Sequence, residues 1–429
     1  MKIISEKDLQ DYLFSKRAKG MKLGLEHMTH LLNRLNHPEQ RFPAVQIAGT
    51  NGKGSTAAIF ESILRAAGYK TGLYTSPHLI DMRERIRISG KFISQPEMIH
   101  LIDSLHDHFE TSKSSFFECL TASAYQHFAD NQIDIAVLET GLGGRLDATT
   151  LNRSILTMIT EIGLDHTHIL GYNAKTIAEE KAGILKPEIP CVIGRQSESI
   201  RRFFVDFTER HNVPVTFLNE AAKVHDIHCS AQGSQFSLQT PSGFYKKLHL
   251  SLLGAHQIDN AVQAVLAAEK LNEKAWHIPE TAIRNGLRNV FWPARIQIIR
   301  KNPTAVLDSA HNPLGMRRLA QSIKSLFQYN RLILVFGVLK DKQYNRMISI
   351  IAPLAAQVIL TRPLGDRALE PSEIRNHEAF SGKPVEVIPD IGEAWERALR
   401  LADRKDLICG AGSIYFIGEI LKLFQSEWM

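Results

Sequence analysis

The chain is poor in cysteine: there are four in 429 residues, at positions 119, 191, 229 and 409, with no C-x-x-C pair among them. That scatter excludes a thiolate zinc site and offers no disulfide framework, so a reduced, cytoplasmic protein is expected. Apolar runs are short, and none approaches the roughly 18 residues that a membrane helix needs. The opening MKIISEKDLQDYLFSKRAKG is charged throughout and has no signal-peptide core. Repeats and low-complexity tracts are absent as well. There is no basic stripe: 51 Lys+Arg against 45 Asp+Glu give +6, spread along the chain. Such a spread suits small anionic substrates and excludes the usual footprint of a nucleic-acid reader. Neither nucleic acid nor membrane is expected as a partner, and the protein reads as a monomer.

What is present is globular. Hydrophobic residues make up 44% and charged residues 22%, and the length asks for two or three domains. Strands are predicted at 45–49, 71–75, 133–139, 155–160 and 190–194, with helices at 55–67, 95–109, 117–130 and 176–185 between them. Continuous apolar strands alternating with helices imply a mostly parallel sheet covered on both faces. Residues 200–252 differ: VPVTFLN, QFSLQT and FYKKLHLSL, separated by polar turns, predict short antiparallel strands appended to that sheet. Beyond Trp292-Pro293 a new alternation begins, with strands predicted at 305–308, 332–337, 358–361, 385–388 and 407–409. The fold class is therefore α/β: a P-loop-type, mostly parallel unit over 1–294 and a smaller Rossmann-like α/β unit over 295–429.

AVQIAGTNGKGSTAAIFESIL (44–64) joins an apolar run to a glycine-rich turn and a helical pattern. It departs from G-x-x-x-x-G-K-[ST], because Ile47 stands where the first glycine belongs and Gly54 follows the lysine. Glycines at 49, 52 and 54 still let backbone amides turn toward an anion, and the helix start behind them favours phosphate. Lys53 adds a point charge, and Ser55 and Thr56 add hydroxyls. An ordinary strand-to-helix turn rarely gathers all of these.

KLGLEHM (22–28), GTNGKGS (49–55), YTSPHL (74–79), RERIRI (83–88), LETGLGGRLDATT (138–150), GLDHTHILG (163–171), EEKAGILKP (180–187), FWPARIQII (291–299), LDSAHNP (307–313) and CGAGSIYF (409–416) occur in this order, and GTNGKGS resembles the variant phosphate loop of the Mur-ligase superfamily. Within it the chain is similar to the folylpolyglutamate synthase/dihydrofolate synthase family over nearly its whole length. The resemblance implies an ATP-dependent amide ligase that activates a carboxylate as an acyl phosphate and couples it to L-glutamate. The acceptors would be reduced folates and, in a bifunctional member, dihydropteroate. A synthase acting on folates only, or a peptidoglycan-precursor amino-acid ligase of the same superfamily, is the alternative.

The resemblance also implies a set of site residues. ATP would be held by Thr50, Asn51, Gly52, Lys53, Gly54, Ser55 and Thr56, with Asn260, Arg295 and Asp308 contributing from further along the chain. Two magnesium ions would be held by Ser76, Glu139, His166 and a carbamylated Lys181, and potassium is a family expectation. Lys53, Lys181, His166 and Glu139 would carry the catalysis. The pterin-bearing substrate would meet Leu23, Gly24, Leu25, Phe117, Glu118, Leu146, Asp147 and Ala148. Glutamate would meet Asp308, His311, Ser413 and Tyr415. Without the resemblance, Glu139 reads as a solvated strand end, Asn260 as a helix-surface amide, and Lys181, beside Glu179 and Glu180, as an exposed ion-pairing residue.

Overall fold

The structure, a computed structural model, describes residues 2–17 and 24–424; the pterin contact expected of Leu23 lies outside the described residues. Eight strands form the first sheet: β1 Ala44–Ala48, β2 Thr71–Tyr74, β3 Ile86–Ile88, β4 Lys91–Phe92, β5 Ile135–Glu139, β6 Ser154–Ile159, β7 Cys191–Ile193 and β8 Val215–Phe217. Their order is β4-β3-β2-β5-β1-β6-β7-β8. From β2 through β8 the pairs are parallel, and β3 and β4 run antiparallel at one edge. β1 and β5 are buried at every position, as parallel strands covered on both faces must be. The chain leaves β1 toward β2 on one side, and leaves β5 toward β6 on the other. A crevice therefore opens beyond the carboxyl ends of the central strands.

The helix Lys53–Ala66, which follows β1, is buried from Gly54 to Leu64. Helix Glu280–Asn289 crosses it closely at Gly286. A Cβ on that glycine would lie 2.5 Å from the Cα of Ile63, and the Gly286 carbonyl accepts a 2.9 Å hydrogen bond from the Ser62 hydroxyl. Gly286→Ala is expected to cost about 1–3 kcal/mol by overpacking. Urea unfolding checks this as a lower midpoint at unchanged slope.

β9 Lys223–Ser230, β10 Gly233–Thr240 and β11 Gly243–Leu250 form a separate antiparallel sheet in the order β11-β10-β9. This corrects the expectation of antiparallel strands appended to the main sheet. VPVTFLN supplies β8, which joins the first sheet in parallel because helix Glu198–Arg210 carries the chain back as one more crossover. QFSLQT and FYKKLHLSL become β10 and β11. Their apolar face, with Phe236, Leu238, Leu248 and Leu250, packs into the same core as helix His256–Asn272. Glu269 of that helix accepts hydrogen bonds from Thr240 Oγ1 (2.6 Å) and Tyr245 OH (2.9 Å). Alternation in a sequence shows that one face is buried, but not which layer buries it.

The third sheet comprises β12 Gln297–Lys301, β13 Thr304–Leu307, β14 Leu332–Phe336, β15 Gln357–Leu360, β16 Val385–Val387 and β17 Leu407–Ala411, in the order β12-β13-β17-β14-β15-β16. All its pairs are parallel except β12 with β13. The α/β class is as expected. Among the described residues, no helix is long and apolar enough to cross a membrane.

Candidate active site

The turn after β1 is built on glycine. Gly52 has φ of 87°, a region that side chains rarely occupy, and a Cβ there would lie 2.6 Å from Asn260 Oδ1. At Gly54 a Cβ would meet the Trp292 ring at 3.1 Å. The amides of Thr50 and Asn51 donate to the Glu161 carbonyl at 2.9 and 3.3 Å, and Thr50 Oγ1 donates to Gly163 O at 3.0 Å. Lys53 Nζ folds back onto the loop, donating to the carbonyls of Gly49 (3.1 Å) and Thr50 (3.2 Å). The ammonium is thus fixed at the mouth of a helix whose first N–H groups have no partner within the helix.

This loop faces a cavity of about 710 Å³ that lies between the first and third sheets. From the first sheet's side it is lined by residues 50–55, Ser76, Glu139, His166, Lys181 and Asn260. From the other side come Arg295, Asp308, His311, Ser413 and Tyr415. At its far end stand Gly24, Phe117, Glu118 and residues 146–148. Two expected residues do not line it. Thr56 points into the protein interior, fully buried, with its hydroxyl lacking any hydrogen-bond partner, because one further step round the helix turns it away from the loop. Leu25 is the residue that precedes helix Glu26–Arg34 at its cap position.

Charge in the cavity is arranged around buried groups. Glu139, at the end of β5, accepts the Ser76 amide at 3.1 Å. Burial raises its pKa, and the charge of Lys53, the Ser76 amide and Arg295 work against that rise. Lys181 is 4% exposed; burial, reinforced by the Lys53 charge, lowers its amine to about 7. Gly144 makes room for it, since a Cβ there would strike the Lys181 backbone at 3.0 Å. His166 holds a left-handed backbone, with φ of 49°. Burial and then the Lys342 charge lower its imidazole to about 4, leaving it neutral near pH 7. No cluster of three or more His, Cys, Asp or Glu side chains poised to hold a metal occurs among the described residues.

Asp165, next to the predicted His166, links the two sides of the cavity. Its carboxylate meets Lys342 Nζ at 2.7 Å and His311 Nε2 at 3.3 Å, and accepts from Asn312 Nδ2 at 3.0 Å. Asn312 in turn exchanges hydrogen bonds with Asn51 of the loop at 2.9 and 3.1 Å. Burial alone would raise the Asp165 pKa, but hydrogen bonding and charge from His311, together with the Lys342 charge, hold it far below the usual carboxylate range. Replacing Asp165 with alanine leaves the largely buried Lys342 ammonium without its counter-charge. The expected cost is about 3–5 kcal/mol, read as a lower urea midpoint. Because the carboxylate is held ionised, its contribution is present above its unfolded pKa and fades only as pH falls below the carboxylate range. Asp165 and Asn312 sit inside motifs already singled out, GLDHTH and DSAHNP. Lys342, in LKDKQY, carried no signal.

At the far end, several residues expected to touch substrate also hold the local fold. Glu118 closes a capping box by accepting the Ser115 amide at 2.8 Å. Asp147 accepts the amides of Leu142 (2.8 Å) and Thr149 (3.0 Å). The Phe117 ring lies so close to Gly141 that a Cβ there would be 2.5 Å away. Two cations missed in the sequence, Lys16 and Arg85, line this end as well. Lys16 pairs with Glu110 at 2.5 Å, and Arg85 Nε donates to His78 Nδ1 at 2.9 Å.

A phosphate loop of the first sheet and the Asp308–Asn312 turn of the third, lining one shared cavity, form the plan of a nucleotide-dependent ligase. Residues 47–268 match the Mur ligase middle domain, and residues 294–414 match the Mur ligase, glutamate ligase domain. The chain is 36% identical to the dihydrofolate synthase/folylpolyglutamate synthase of Bacillus subtilis (strain 168), across 97% of this chain and 98% of that one. It is similar in structure to Mycobacterium tuberculosis folylpolyglutamate synthase complexed with ADP, with a TM-score of 0.92, 30% identity and coverage of 97% and 98%. It is also similar to a bifunctional folylpolyglutamate synthase/dihydrofolate synthase with Mn, AMPPNP and L-glutamate bound, with a TM-score of 0.87, 28% identity and 99% of each chain covered. The chain belongs to the Mur ligase family, in its dihydrofolate synthase/folylpolyglutamate synthase branch. It is an ATP-dependent ligase.

Proposed function

We propose that this chain uses ATP to join L-glutamate to reduced folates and to dihydropteroate. We take it to do so with two units, 1–294 holding ATP and the acid and 295–429 bringing the amine. The acid's carboxylate oxygen attacks the γ-phosphorus of ATP, ADP leaves, and an acyl phosphate results. The amine of glutamate then attacks the acyl carbon, and phosphate departs with the oxygen the acid supplied. Activation is needed because a free carboxylate is a very poor acceptor for an amine.

Lys53 and the loop amides stabilise charge on the phosphoryl group in flight. Arg295 and Asn260 steady the nucleotide, His311, Ser413 and Tyr415 receive glutamate, and Phe117 with residues 146–148 receives the pterin end. Glu139 and Ser76 offer the hard oxygen donors that magnesium favours, His166 is neutral and can lend a lone pair, and Lys181 can join them once carbamylated. Magnesium bound there would neutralise the triphosphate. Contact between the two sides of the cavity keeps water from the acyl phosphate.

The observation that supports this reading best is the single cavity shared by the phosphate loop, the Asp308–Asn312 turn and the Phe117 end. The test is ADP release measured side by side with dihydropteroate and with tetrahydrofolate, each with and without glutamate. Release that requires both acid and glutamate is expected. Release indifferent to either would overturn the proposal.

A further inference from the structure

Two apolar side chains from the first sheet's side are seated in the core of the third. Leu79 and Ile80, on the loop between β2 and β3, pack against a cluster that includes Phe416, Ile417, Ile420 and Leu421. Those four belong to helix Ile414–Lys422, which follows β17 and has Ser413 as its cap. Helix and loop meet backbone to backbone at Gly418. That glycine is buried, and a Cβ on it would collide with the Leu79 carbonyl oxygen and stand 3.0 Å from the carbonyl carbon.

The loop is held where it is. Glu84 accepts the amides of Leu79 (2.8 Å), Ile80 (2.7 Å) and Asp81 (2.7 Å). Asp81 in turn accepts the Arg83 amide at 2.8 Å, closing a capping box. A collision with a carbonyl fixed in this way has no side-chain rotation to relieve it, so the helix would have to retreat. Both partners lead straight into the cavity, which Ser76 and Pro77 line from the loop and Ser413 and Tyr415 from the helix. Leu79 is three residues on from Ser76, whose amide holds Glu139. Gly418 is three on from Tyr415, less than one helical turn.

We propose that Gly418 is a positioning residue: by letting helix Ile414–Lys422 rest directly on the Leu79 carbonyl, it fixes how near the amine pocket comes to the acyl phosphate. This rests on the ligase reading above. A methyl group needs roughly 3.5 Å from its neighbours, so alanine at 418 would hold the helix back by about 1 Å. A displacement of that size between reacting groups costs up to about 10²-fold in rate. It falls on the amine step, because the loop that holds the phosphates belongs to the first sheet. The acyl phosphate then waits, and water attacks it in place of the amine, returning the acid and releasing phosphate.

The test counts amide formed and phosphate released by the full chain with ATP, tetrahydrofolate and glutamate. The wild type should make one amide for each phosphate. Gly418→Ala is expected to form amide up to about 10²-fold more slowly, with clearly less than one amide for each phosphate. Ile80→Ala, which loosens the same contact without overpacking, should lower that ratio too. Gly286→Ala, overpacked at a glycine that does not line the cavity, should keep it at one, which separates positioning from a loss of stability. A folded Gly418→Ala or Ile80→Ala that keeps one amide for each phosphate would overturn the proposal, as would a Gly286→Ala that lowers the ratio equally. Should Gly418→Ala fail to fold, Ile80→Ala decides on the same ratio. A wild-type chain whose phosphate release ignores glutamate would instead overturn the ligase reading, and the role of Gly418 with it.

Discussion

Lys53→Ala is expected to lower turnover about 10³-fold, the scale seen when a fixed cation is removed from a transferring phosphoryl group. The magnitude follows from position. Lys53 Nζ is tied to two loop carbonyls, so its charge is placed before the nucleotide arrives and needs no reorganisation during transfer. The loss should fall mainly on kcat, because the helix start and loop glycines still bind the polyphosphate. A second consequence is local: with the Lys53 charge gone, Lys181 loses one of the two influences that depress its pKa, and Glu139 loses one that opposes its rise. Steady-state kinetics with ATP as the varied substrate checks the prediction. Unchanged kcat with a raised KM would reduce Lys53 to a binding group.

The second large effect is expected at Lys181. Only a neutral amine reacts with carbon dioxide, and burial together with the Lys53 charge lowers this amine to about 7, toward the neutral form that the reaction needs. Lys181→Ala is expected to lose about 10²-fold or more in kcat, the scale of losing one preorganised charged group, and short carboxylic acids in the buffer should restore part of it. Lys181→Arg should lose as much and gain nothing from such acids, since guanidinium stays charged and fills the space. The sign of the pH effect follows from the lowered pKa. Activity that depends on a carbamate at Lys181 is expected above about 7 and should decline below it as the amine protonates. In the rescued alanine variant that decline should disappear. Full activity in Lys181→Ala without added acid would remove Lys181 from the mechanism.

Much of this architecture could be read from the residues. Apolar runs such as the one at 133–139 gave the central strands, and the glycine-lysine turn announced an anion site despite Ile47. Lys181, which its neighbours suggest is exposed, is buried. Ile177, Ala178, Lys181 and Ala182 share one buried helix face, the spacing of an inward stripe. The neighbouring glutamates hid it by suggesting an exposed ion pair, whereas it is Glu180 that pairs outward, with Arg145 at 2.7 Å. The pairing of Asp165 with Lys342 was not legible, because its partner lies on another sheet and no local pattern links them. The layer joined by residues 223–250 was misjudged because alternation alone does not name the partner surface.

The central claim is that an oxygen of the organic acid passes into phosphate. Dihydropteroate labelled with ¹⁸O in its carboxylate, turned over with ATP and glutamate, tests it directly. The account predicts one labelled oxygen in the phosphate released at each turnover, with release absent when glutamate is withheld. Unlabelled phosphate, formed at the same rate with or without the acid, would contradict it.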